Sequence, residues 1–101
     1  MQGDGLLKCE AIRWVSDEPQ PGWIEVQMTD ASGRMWRFFD KPPMFEGDIP
    51  LQPTSPYPVA AAIAVRIVEE GEVLTVSTDP HHVESEDGES TFRVLPSAVE
   101  R

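Results

Sequence analysis

Apolar and polar residues alternate along several segments of the chain, and this period of two is typical of β-strands with one buried face. In residues 23–29, Ile24, Val26 and Met28 alternate with polar side chains. Residues 30–33, with the sequence Asp-Ala-Ser-Gly, then supply the residue types of a hairpin turn, and the glycine tolerates positive φ. The pattern therefore predicts an antiparallel hairpin.

The returning strand of this hairpin is predicted at residues 34–39. Alternation places Trp36 and Phe38 on one face and Arg37 on the other, so both faces carry bulky side chains. Such a strand fits deep in a small barrel or under a covering loop, and the prolines at positions 42 and 43 end it.

Three further strands follow from the same reasoning. Residues 6–15 change the phase of their alternation near Ala11, which predicts a β-bulge there. Residues 73–78 and 91–95 are rich in β-branched or aromatic side chains, and residues 86–89 carry a turn signal between them.

Residues 59–70 can be interpreted in two ways. Four alanines, with Pro58 before them and Gly71 after the segment, favour a helix. The β-branched residues among positions 63–68 favour a strand that pairs with residues 73–78. We predict the strand, and the helix remains the alternative.

Six of the ten prolines lie between Asp40 and Pro58. Pro50, Pro53 and Pro56 recur every three residues, the period of a polyproline II helix, and could present a ligand to an SH3-like module. A stiff crossover that closes one end of the barrel is the interpretation we favour.

These elements predict an all-β fold: a small antiparallel barrel of five to six strands with a proline-rich crossover loop. A chain of 101 residues fits a single β domain spanning residues 1–101. Within it we expect a flexible N-terminus at residues 1–5, the crossover at 40–58 and a C-terminal tail at 97–101.

The charge balance restricts the partners. The chain has 18 acidic and 8 basic residues and a formal net charge of -10, which repels nucleic acids and anionic membranes. Arg34, Arg37 and Lys41 interleave with aromatic residues as in sheets that bind single strands, but so few bases would release few counterions. We therefore expect no nucleic-acid or membrane partner.

The single cysteine and the N-terminus bear on location. One cysteine, Cys9, cannot form an intrachain disulfide, and the chain shows neither a signal peptide nor an apolar run of the roughly 20 residues that span a bilayer. We expect a cytoplasmic protein.

Residues 69–90, which we call the acidic segment, contain no lysine or arginine. The leading hypothesis is a non-enzymatic interaction module that uses this segment, like an adaptor, against a basic protein. Its oligomeric state is left open. The predicted partner-binding residues are seven acids of this segment: Glu69, Glu70, Glu72, Glu84, Glu86, Asp87 and Glu89.

Catalytic and metal sites have little support. His81 and His82 with Asp79 are candidate metal ligands, but adjacent residues of an extended segment point to opposite faces. Cys9 lies among apolar neighbours, where an inert thiol is usual. We predict no catalytic residue and no cofactor, so the protein is not expected to be an enzyme. The alternative is a barrel that binds a metal or a small molecule in a pocket lined by Trp36, Phe38 and Tyr57, either as a binding protein or as a minor enzyme.

An internal similarity links two parts of the chain. Gly33-x-x-Trp36-Arg37-Phe38 and Gly88-x-x-x-Phe92-Arg93-Val94 both give a turn glycine, an aromatic residue, an arginine and an apolar residue. The spacings differ by one residue, so the pattern is only suggestive of duplicated hairpins.

Five short motifs between residues 23 and 95 resemble landmarks of an uncharacterised family of short bacterial β-rich proteins. They are Phe39-Asp40-Lys41, Tyr57-Pro58, Thr78-x-Pro80, Glu84-Ser85-x-Asp87-Gly88 and Phe92-x-Val94. The resemblance implies a compact β domain of bacterial type with no assigned activity. More loosely, the size and acidity are similar to those of immunity proteins that neutralise basic toxins.

Overall fold

The computed structural model describes residues 3–101; Met1 and Gln2 lie outside it. The described residues contain eight strands, three short 3-10 helices and no α-helix. The strands are β1 (Gly3–Ser16), β2 (Trp23–Thr29), β3 (Met35–Asp40), β4 (Glu46–Gly47), β5 (Val59–Glu69), β6 (Leu74–Ser77), β7 (Thr91–Val94) and β8 (Val99–Glu100). None of the helices in this range is long and apolar enough to cross a membrane.

All the strands join one antiparallel sheet with the order β3-β2-β1-β5-β6-β7. The short strand β4 pairs with β5, and β8 pairs with β1. The predicted mainly β, antiparallel fold is therefore confirmed, and the sheet curls into a half-barrel around a single core.

The two edge strands of the sheet are brought together by the chain between β6 and β7. Phe38 of β3 forms an isolated bridge with Ser85, and the Glu86 amide donates to the Arg37 carbonyl at 2.8 Å. At the other end of β3, the Ala31 amide donates to the Arg93 carbonyl of β7, also at 2.8 Å. We call this line of contact between β3, residues 85–86 and β7 the seam.

The core lies on the concave face, where the alternation of the sequence places its apolar residues. Ile24 and Val26 have no exposed surface, and Phe38 is likewise fully buried. The ring of Phe38 meets that of Phe92 edge-on, with centroids 5.6 Å apart. Aromatic pairs favour this edge-on geometry, and the contact joins the two edge strands inside the core.

The bulge predicted in β1 is confirmed. The register of β1 against β2 shifts between Ala11 and Arg13, so the alternation changes phase there. After the shift, Arg13 lies opposite Glu25 and its Nε donates to the Glu25 carboxylate at 2.7 Å. The bulge thus gives the nearly buried Glu25 an ionic partner.

Residues 59–69 form a strand, as predicted, and not the alternative helix. Alternate residues of β5, from Val59 to Ile67, are buried. β5 pairs with β1 on one side and with β6 on the other. β-Branched side chains suit such a central position, and pairing on both sides outweighs the helical propensity of the alanines.

The crossover differs from the polyproline II prediction. The Ser55 amide donates to the Gln52 carbonyl at 3.1 Å, which forms a turn between Pro50 and Pro56. The three prolines therefore do not continue along one straight helix. Instead, the crossover contains a 3-10 helix at Pro42–Met44 and the strand β4, which attaches it to β5.

The structure describes residues 3–5 of the N-terminus that we expected to be flexible, and all of the expected C-terminal tail. Residues 3–5 begin β1 and pair with β5. The expected C-terminal tail includes β8, which crosses close to Gly5, where a Cβ atom would lie 2.7 Å from Val99 Cγ1. Glycine is required at this position because a side chain would collide with β8.

Candidate functional site

The seven acids of the predicted partner-binding surface lie on both sides of β6. Glu69 ends β5, Glu70 and Glu72 lie in the β5–β6 turn, and the other four follow β6 in the connection to β7. All seven are exposed. The set therefore consists of two separate groups, Glu69, Glu70 and Glu72, and Glu84, Glu86, Asp87 and Glu89.

The second group faces the basic residues of β3 and its turn. Arg37 Nε lies 3.1 Å from Glu86 Oε1, and an Arg34 guanidinium nitrogen lies 3.4 Å from Asp87 Oδ2. Both pairs are exposed, so each contributes little to stability. They place opposite charges next to each other where residues 86–87 meet β3 and the residue before it.

A small hairpin at residues 85–89 presents these carboxylates. The Ser85 amide donates to the Glu89 carbonyl and the Gly88 amide to the Ser85 carbonyl, both at 2.8 Å. Gly88 has φ of 84°, which glycine adopts without strain. We call this element the seam hairpin.

The base of the seam hairpin is fixed by a buried threonine. The Thr78 hydroxyl donates to the Val83 carbonyl and lies 3.2 Å from the Ser90 carbonyl, which accepts from the Thr78 amide at 2.8 Å. Because Thr78 is fully buried, these bonds satisfy carbonyl groups that water does not reach.

Ion pairs within the chain use most of its bases. Among residues 3–101, five acids pair with five arginines, Arg13, Arg34, Arg37, Arg66 and Arg101. Thirteen of the 18 acids and three of the 8 bases lie outside these pairs, and eleven of those thirteen acids are exposed. The surface field is therefore dominated by unpaired carboxylates.

A groove of about 460 Å³ opens beside the seam, between the β2–β3 turn and β7. It is lined by Asp30, Ser32, Trp36, Val73, Phe92 and Arg93, among others. We call it the Trp36 groove.

Three neighbours fix the indole of Trp36. Its Nε1 donates to Asp30 Oδ2 at 2.9 Å, and its ring meets Phe92 edge-on at a centroid distance of 5.1 Å. The guanidinium carbon of Arg34 lies 3.7 Å from the Trp36 ring centroid, in the geometry of a cation–π contact.

The carboxylate of Asp30 organises the turn below this indole. Burial alone raises its pKa, but hydrogen bonds from Trp36, Ser32 and Arg34 outweigh that effect and lower the pKa to about 2. Asp30 therefore remains ionised beside the groove over the ordinary pH range.

The three residues predicted to line a pocket do not share one. Phe38 has no exposed surface and fills the core, while the Tyr57 hydroxyl donates to the Gln52 carbonyl within the crossover at 2.7 Å. Of the three, only Trp36 lines the Trp36 groove. A ligand pocket inside the barrel is not favoured by this arrangement.

The candidate metal ligands do not converge. His81 and His82 are exposed, and Asp79 accepts a hydrogen bond from Arg66 at 2.5 Å that lowers the pKa of Asp79. No group of three metal-binding side chains occurs in the described part of the chain. Asp79 therefore has a structural partner in Arg66.

Cys9 is buried in β1. Burial, and to a smaller extent the charge of Glu10, raises the pKa of its thiol to about 12. The reactive thiolate is thus scarce at neutral pH, in line with an inert thiol.

The sequence did not identify Asp30, Phe92 and Arg93 as groove residues. The available signal was the similarity of the two glycine motifs, because Gly33 and Gly88 both have positive φ and the aromatic residues after them meet across the seam.

Comparisons of the chain with protein-family models, with curated proteins and with solved structures found no match. The functional argument consequently rests on the residues and their geometry.

Proposed function

We propose that this chain is a non-enzymatic interaction protein that binds a basic protein partner through the acidic segment. The observation that carries the proposal is the internal use of arginine. Five of the six arginines are neutralised by acids of the same chain, and this leaves exposed carboxylates as the main unpaired charge.

The seam hairpin is the element best suited to contact this partner. It carries Glu86, Asp87 and Glu89, with Glu84 directly before it, on a short turn whose backbone is fixed by Ser85 and by buried Thr78. A fixed backbone loses little conformational freedom on binding, and the negative net charge accelerates encounter with a basic surface.

The test begins with capture of partners on the immobilised protein and purification of a captured basic protein. Its association rate constant is then measured by surface plasmon resonance at rising NaCl concentrations. We expect the rate constant to fall steeply with salt, by about tenfold or more, because electrostatic steering is screened.

A matched pair of variants locates the contact. The triple variant Glu84→Gln, Glu86→Gln, Asp87→Asn is compared with a control that removes three charges elsewhere, Glu18→Gln, Glu46→Gln, Glu100→Gln. We expect the first variant to slow association several times more than the second. Equal effects, or a rate constant indifferent to salt, would contradict the proposal.

A further inference from the structure

One face of the Trp36 indole is covered by a cation of the same chain. The guanidinium carbon of Arg34 lies 3.7 Å from the ring centroid, although the Arg34 side chain is 57% exposed. A guanidinium can thus stack on this ring at the mouth of the Trp36 groove without being enclosed by the protein.

The same guanidinium also reaches a carboxylate. A terminal nitrogen of Arg34 lies 3.4 Å from Asp87 Oδ2 on the seam hairpin. An aromatic face with an adjacent carboxylate matches the chemistry of arginine, which stacks through its plane and donates through its edge.

We propose that the indole face of Trp36 beside Asp87, next to the Trp36 groove, is a binding site for an arginine side chain of the basic partner, and that Arg34 is an internal occupant which the partner's arginine displaces. This inference rests on the proposed function and deepens it, because it names the residue type that the partner contributes. The net charge of -10 favours a cationic occupant over an anionic or neutral one.

Displacement of Arg34 needs only weak contacts to break. Exposed cation–π contacts and exposed ion pairs each change an equilibrium constant by a factor of roughly 2 to 5. Arg34 lies next to Gly33, at the end of the β2–β3 turn, and its side chain can move into solvent without unpairing β3. The incoming arginine would stack on Trp36 and contact Asp87 in its place.

Arg93 supplies a matched control for net charge. Arg93 lines the Trp36 groove and is exposed, but its side chain takes no part in the described ion pairs or in the contact with the Trp36 ring. Replacing either arginine by alanine removes one positive charge near Trp36, whereas only Arg34→Ala uncovers the indole face.

The experiment is an NMR titration of the full chain with the peptide acetyl-Gly-Arg-Gly-amide. The same peptide with citrulline, which has the shape of arginine without its charge, is the ligand control. The indole Nε1–H signal of Trp36 is assigned by its loss in Trp36→Phe. We expect this signal to shift with the arginine peptide and not with the citrulline peptide.

The variants give the decisive comparison. Arg34→Ala should bind the arginine peptide about fivefold more tightly than the parent chain, and Arg93→Ala less than twofold more tightly. Equal gains in the two variants would show a general charge effect and overturn the proposal, as would an unmoved Trp36 signal. Both arginines are exposed, so neither variant should disturb folding.

This result is separable from the proposed function. If a basic partner binds with strong salt dependence but equally well to the parent chain and to Trp36→Leu, the groove proposal fails and the interaction module stands. If the arginine peptide binds as expected but no captured partner responds to salt, the groove proposal stands and the electrostatic module fails.

Discussion

The two acidic groups that flank β6 have similar composition but different surroundings. In the β5–β6 turn, Glu70 pairs with Arg101 near the end of the chain, at 2.7 Å. In the seam hairpin, Glu86 pairs with Arg37 of β3, and Asp87 pairs with Arg34, directly before β3. The first group lies at the end of β5 and in the turn that follows, whereas the second contacts the edge strand β3.

This difference shows that charge density alone does not assign a role. The seam hairpin is fixed by Ser85 and Thr78 and lies along an aromatic core contact, while the β5–β6 turn carries its acids toward solvent. If the two groups truly differ, changes near the seam should affect folding as well as binding, and changes in the turn should affect charge alone.

The largest expected effect comes from truncating a side chain that is buried beneath the seam. Phe38→Ala removes a fully buried ring that contacts Phe92, and we expect a loss of about 3 to 5 kcal/mol in the free energy of unfolding. Met35→Ala, on the same strand but 57% exposed, should change it by about 0.5 kcal/mol or less. Urea unfolding followed by tryptophan fluorescence measures both, and similar losses would refute the role of Phe38.

The next effect concerns the base of the seam hairpin. Thr78→Val preserves the shape of the side chain but removes the hydroxyl that bonds the Val83 and Ser90 carbonyls, so we expect a loss of about 1 to 3 kcal/mol. Thr29→Val on the exposed end of β2 is the control. Hydrogen exchange at Ser85 and Glu89 should accelerate only in Thr78→Val; unchanged exchange there would be the contrary result.

A smaller effect distinguishes the acids themselves. Glu86→Gln should destabilise the fold by about 0.2 to 1 kcal/mol, because it weakens the pair with Arg37. Glu72→Gln, which lies outside the described ion pairs, should be neutral or slightly stabilising because it relieves negative self-repulsion. A double-mutant cycle with Arg37→Met measures the coupling energy of the pair directly. A coupling energy of zero would show that the Glu86 side chain does not stabilise the seam through Arg37.

The smallest effect is the pH response of Asp30, beside the seam. Its folded-state pKa, about 2, lies below the ordinary value of 3.8 for an aspartate, so the stabilisation is fully present above about pH 4 and is lost as the pH falls toward 2. Trp36→Phe removes the indole donor and should raise the pKa of Asp30. Carboxyl-carbon NMR during an acid titration of both proteins checks this, and identical titration curves would contradict it.

Much of the fold was predictable because it follows from local patterns. The alternation in β2, the phase change at Ala11 and the β-branched residues of β5 each determine a feature without reference to distant residues. The turn glycines at positions 33 and 88 were also predictable from the sequence, and both have positive φ in the structure.

The seam was not predictable from these patterns. Residues 84–86 lack the apolar alternation of a strand, and their pairing with β3 depends on a partner almost fifty residues away. The Trp36 groove arises only when the two edge strands meet, so its lining could not be assembled from the sequence. The turn within the crossover was not predictable for a related reason: Ser55 donates to the carbonyls of Gln52 and Pro50 and turns the chain, so the three prolines do not form the polyproline II helix that was the alternative.

The bridge between Phe38 and Ser85 also has a consequence for solubility. An uncovered edge strand offers its backbone donors and acceptors to any neighbouring chain and can template aggregation. The seam hairpin covers part of the β3 edge, and the net charge of -10 makes like molecules repel one another. A proteolytic cut in residues 85–89 would expose that edge and favour self-association through the strands.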